Sequence, residues 1–152
     1  MAVPEMTIEQ VARRLAGVDL LQTVDYGVVC DLAERVLVAE HPPGSVVLAE
    51  GDAGDGLHLV LDGTATIERD GVSLATIGPG EHVGELALLD GGPRSATVRA
   101  QDALLTAFLP STDFVDVLEA HPDVALQLLV TLAGRFRQVQ DRLVAVQRRF
   151  EF

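Results

Sequence analysis

The chain has 152 residues, a formal net charge of −12 and a single cysteine, Cys30. That length suits one domain able to bury its own core. The acidic surface repels nucleic acid and anionic lipid, and a lone cysteine excludes an intrachain disulfide framework and fits a reducing, cytoplasmic setting. No run approaches the roughly 18 consecutive apolar residues of a membrane span. The N-terminus, MAVPEMTIEQ, lacks the basic-then-apolar pattern of an export signal. Neither a membrane nor a nucleic acid is therefore expected as a direct partner.

Residues 1–40 read as helical. Thr7 is followed three residues later by Gln10, a capping box, and Ile8, Val11 and Leu15 recur at helical spacing. A second helix is predicted from Asp25 to Val36, with Val28, Val29, Leu32 and Val36 on one side and Cys30 serving as a small apolar residue. His41-Pro42-Pro43-Gly44 breaks any helix. Over residues 45–110, short apolar runs alternate with glycine turns at about ten-residue spacing, the pattern of a β-sandwich or barrel. Within it, Arg69-Asp70-Gly71 marks a hairpin turn.

Residues 111–152 return to helix. Ser111 or Thr112 can cap a helix through Glu119, and His121-Pro122-Asp123 restarts the chain with proline suited to a first turn. The last helix is predicted from Asp123 to Arg149. Its apolar residues, Ala125, Leu129, Leu132, Phe136, Val139, Leu143, Val146 and Phe150, form a heptad seam. A seam of that regularity predicts a homodimer through residues 123–150, the alternative being packing on the chain's own roll. All eleven basic residues are arginines, and Arg135, Arg137, Arg142, Arg148 and Arg149 crowd the last eighteen positions. They are expected to form a solvated helix face.

The segment Val83–Val98, VGELALLDGGPRSATV, carries the chemistry. A strand ends at Gly84, a short helical turn follows, and Arg94 opens a new strand beyond a Gly-Gly-Pro loop. The turn's first N–H groups have no helical partner and suit an anion. Gly84 permits close approach to the backbone, and Arg94 can add a charge-assisted contact to a phosphate. Glu85 would repel an isolated phosphate but accepts well from a hydroxyl. A cyclic ribose phosphate offers both a hydroxyl and one anionic centre.

This segment closely resembles the phosphate-binding cassette of cyclic nucleotide-binding domains, found in catabolite-activator-type regulators, in kinase regulatory subunits and in gated channels. LAEGDAGDGLHLVLDGTATI and IGPGEHVGE resemble the strands and turns leading to the cassette, and the likeness runs from about Leu15 to Arg142. It implies a mainly β jelly roll with an N-terminal helical bundle and a long C-terminal helix, binding a cyclic nucleotide and using no cofactor or metal. Position by position it implies that Glu85, beside Gly84, accepts the ribose 2′-OH. Leu86 and Ala87 would present N–H groups, Arg94 would pair with the phosphate next to Ser95 and Ala96, and Leu74 and Val83 would wall the pocket. Ser95 points to cAMP over cGMP. The base lid would fall on Arg135, Val139 and Gln140, where related regulators carry a Thr-Ser pair at the last two positions.

The expected role is that of a sensor rather than an enzyme, its helix read by an effector protein that the sequence does not name. As an alternative, the chain is the N-terminal sensor of a larger transcription regulator, channel or enzyme. A cupin-type metal enzyme would need converging histidines and a carboxylate. His58 and His82, 24 residues apart and without a ligand motif, do not supply them. His82 stands where the family commonly has an aromatic residue. A degenerate scaffold without ligand is opposed by the intact Glu85 and Arg94.

Overall fold

The computed structural model describes residues 2–150. Helix α1 (Ile8–Leu15) starts at the Thr7–Gln10 capping box, both reciprocal bonds of which are made. A single 3-10 turn (Asp19–Leu21) leads to α2 (Tyr26–Arg35). The roll follows as β1 (Leu37–His41), β2 (Val46–Leu48), β3 (Gly56–Asp62), β4 (Ala65–Arg69), β5 (Val72–Ile77) and β6 (His82–Val83). Helix α3 (Glu85–Asp90) interrupts it before β7 (Thr97–Ala100) and β8 (Leu104–Pro110). Helices α4 (Ser111–Ala120) and α5 (Pro122–Arg149) complete the chain.

Two four-stranded antiparallel sheets, ordered β1-β8-β3-β6 and β2-β7-β4-β5, face each other as a jelly roll. Strand β3 shows how the layers are made. Its alternation sends Leu57, Leu59 and Leu61 outward to a core shared with Val11, Leu15 and Leu32 of the N-terminal helices and Val124 and Leu128 of α5. Val60 points inward, to Leu48, Ala65, Ile77, Val83, Val98, Ala100 and Leu104 between the sheets. With both faces covered, β3 reads as an unbroken buried run up to Leu61. The β4–β5 hairpin turns at Asp70-Gly71, both with positive φ (52° and 77°), as a two-residue primed turn requires.

Three expectations are corrected. The helical N-terminal region does not reach residue 40: α2 ends at Arg35, Val36 is extended, and Leu37–His41 pairs with β8. The roll thus begins before Ser45. Helix α4 is not capped by a hydroxyl, because Pro110 stands at its N-cap and no side chain bonds to its first turn. The arginines of α5 are not uniformly solvated: Arg135 and Arg142 both bond back to the roll. Cys30 is half-buried against the helical core.

Along α5 the buried residues are Val124 and Leu128, on a stripe beside the heptad seam. Most of the seam lies open, with Leu129 63%, Phe136 64% and Phe150 73% exposed, while Ala125 and Leu132 are half-buried. Packing on the chain's own roll accounts for part of it, since Leu132 is half-buried against the helical core. Among the described residues no helix is long and apolar enough to cross a membrane.

Candidate functional site

A cavity of about 580 Å³ opens between the sheet β2-β7-β4-β5, the α3 segment and α5. That is within the usual size of a small-molecule site. It brings together Leu74, Val83, Gly84, Glu85, Leu86, Ala87, Arg94, Ser95, Ala96, Arg135 and Val139. Gln140, the remaining sequence candidate, is exposed and does not line it. One step along a helix rotates a side chain by about 100°, so residues 139 and 140 cannot share a face. Leu48, Ile67, Arg69, Val98, Leu132 and Phe136 line the cavity as well. Of these, Leu132 and Phe136 were visible in the sequence only as members of the seam.

Gly84 is the hinge of the site. Its φ of 99° is left-handed, and a Cβ there would lie 2.6 Å from Nη1 of Arg94 and 3.1 Å from the Gly56 carbonyl. Only glycine satisfies both the dihedral and the space. The arginine that fills this space is itself buried, with 4% of its surface exposed. Its Nη1 donates to the Gly84 carbonyl (2.8 Å), and its Nη2 donates to the Gly56 carbonyl (2.8 Å) and to Asp55 (2.9 Å). Arg94 thus ties the two ends of the α3 segment to the start of β3. A guanidinium has five N–H donors, so two are left without a partner by these three bonds.

Glu85, 4% exposed, sits at the head of α3. Arg135 of α5 donates to its Oε1 (2.6 Å) and also to the His82 carbonyl (2.9 Å), while Nδ1 of His82 lies 3.2 Å from its Oε2. Burial alone would push the Glu85 carboxyl up. The His82 contact, through its hydrogen bond and then its charge, followed by the charge of Arg135, outweighs burial and holds it below the ordinary carboxylate range. Glu85 is therefore an ionised acceptor at neutral pH. Arg135, which the resemblance sets near a base, thus has its guanidinium on the Glu85 carboxylate.

Beside the site, the roll interior holds a polar cluster. The hydroxyl of Thr106 is 3.0 Å from both Nε2 of His41 and Nδ1 of His58, and all three residues are buried. Burial, with His41 and Arg94 adding repulsion, lowers the pKa of His58 to about 4. His58 and His82 lie on paired strands but are committed to different partners, Thr106 and Glu85.

The jelly roll, the glycine-hinged turn and the buried arginine define a ligand-binding module of the nucleotide-sensing class. Residues 38–121 match the cyclic nucleotide-binding domain family, and the chain belongs to it. It is 28% identical over 134 residues to the CRP-like cAMP-activated global transcriptional regulator of Mycobacterium tuberculosis, covering 85% of this chain and 60% of that protein. It is 42% identical over 89 residues to the cAMP-dependent protein kinase regulatory subunit of Yarrowia lipolytica, covering 57% of this chain and 24% of that one. The chain thus spans less than two thirds of the length of either relative. Its fold matches the structure of Sp-2Cl-cAMPS bound to PKAR CBD2 with a TM-score of 0.77, at 26% identity over 90% of each chain.

Proposed function

We propose that the chain is a sensor that takes cAMP, in preference to cGMP, into the cavity between roll and α5, and signals through α5 without performing chemistry. One observation carries this reading: Arg94, with two donors to spare, and the ionised Glu85 line one cavity whose wall is completed by α5. The arginine suits the cyclic phosphate and the carboxylate suits the ribose 2′-OH. Ser95 after Arg94, and the cAMP in the names of both relatives, support cAMP over cGMP.

Output follows from the Glu85–Arg135 pair. A ribose hydroxyl arriving at Glu85 shares or displaces a contact that otherwise holds α5 down. Ligand occupancy and helix position are then reciprocally coupled. The open seam of α5 supports a homodimer, and an effector protein would read the helix. Isothermal titration with cAMP, cGMP and AMP tests the reading. Binding of cAMP ahead of cGMP, with none for AMP, is the expected result; equal binding of AMP would refute the cyclic-phosphate assignment.

A further inference from the structure

His82 is fully buried, at 0% exposure, and its ring makes a single hydrogen bond, Nδ1 to Glu85 Oε2. Among the described residues its Nε2 is the one buried side-chain nitrogen or oxygen without a partner. A phenyl ring would fill the same space with no ring nitrogen left unpaired. The ring nitrogens therefore carry a net cost unless Nδ1 contributes something packing cannot.

What it contributes is visible at Glu85. Arg135 takes Oε1; without His82, Oε2 would be a buried carboxylate oxygen with no donor. The carboxylate would then turn towards Arg135 or take up a proton, and either change degrades it as an acceptor for a hydroxyl in the cavity. Because a carboxylate only accepts, Nδ1 must carry a proton.

We propose that His82 is a positioning residue for sugar recognition: it fixes the Glu85 carboxylate through Nδ1 and so sets discrimination for a ligand with a ribose 2′-OH over one without it. This rests on the cyclic-nucleotide reading of the cavity. The test is titration calorimetry with cAMP and 2′-deoxy-cAMP on the wild type, His82→Leu, His82→Asn and His82→Gln, with thermal melts to confirm folding.

The wild type should prefer cAMP. His82→Leu should narrow that preference by roughly tenfold, the scale of one lost charge-assisted hydrogen bond. His82→Asn, whose amide nitrogen falls near the Nδ1 position, should restore most of it, whereas His82→Gln, which reaches towards Nε2, should not. A wild-type ratio in a folded His82→Leu protein overturns the proposal. If His82→Leu does not fold, equal ratios in the Asn and Gln variants overturn it. Failure of the wild type to bind either nucleotide would instead overturn the reading of the cavity, and the proposal with it.

Discussion

Arg94→Ala separates the two duties of one buried side chain. The guanidinium satisfies the carbonyls of Gly84 and Gly56 and lies in a site only 4% exposed. Truncation leaves two buried acceptors unpaired, at about 1–2 kcal/mol each. The Asp55 contact adds little, since that carboxylate is 78% exposed. Stability should therefore fall by about 2–4 kcal/mol, which lowers the melting temperature by about 10 °C for a domain of this size. Losing the two free donors towards a phosphate should weaken cAMP by a further 2–4 kcal/mol or so, roughly 30- to 1,000-fold. The assay is calorimetric titration at a temperature where the melt shows the variant folded. A folded Arg94→Ala protein that binds cAMP with wild-type affinity would refute the assignment of Arg94 to the phosphate.

Gly84→Ala should cost about 1–3 kcal/mol through its positive φ and the contacts at 2.6 and 3.1 Å, and should weaken cAMP in the same titration. His58, held near 4 in the fold against an ordinary value of 6.5, binds fewer protons folded than unfolded in that window. Its contribution is thus intact above pH 6.5 and is lost as the pH falls towards 4. Chemical denaturation at pH 7 and pH 4.5 should show about 2–3 kcal/mol of acid destabilisation from this group, reduced in His58→Gln; an equal acid loss in both proteins contradicts the account. Leu143→Asp places a charge on the open seam outside the cavity. It should shift the protein to a monomer by sedimentation velocity while leaving cAMP affinity within a few-fold, and an unchanged oligomeric state would sink the seam as a dimer interface.

The parts of the fold that were legible in the sequence are those set by neighbouring residues. Thr7–Gln10, the Asp70-Gly71 turn and the glycine-to-arginine run from Gly84 to Arg94 each carry their geometry within a few positions. Strand β1 was missed because five residues say little by themselves, and its partner β8 is more than sixty positions away. The Glu85–Arg135 pair spans 50 residues and left no local sign. Counting along a helix places Arg135 on it but does not say which loop it meets. The His82–Glu85 contact was within reach, since three positions separate the two, but a strand ending and a helix beginning between them hid which way each side chain points.

The root of α5 lies at Val124 and Leu128, set in the helical core, while Arg135 and Arg142 prop it against the roll further along. Mechanically it is a cantilever with two struts and an unsupported tip. From Leu128 to Phe150 the rise of 1.5 Å per residue gives an arm of about 33 Å. A tilt of about 5° at the root, too slight to disturb a packed core, carries the tip roughly 3 Å by the same geometry. The strut nearest the cavity bears on Glu85, so an event confined to one carboxylate acts where the arm is short and is delivered where it is long.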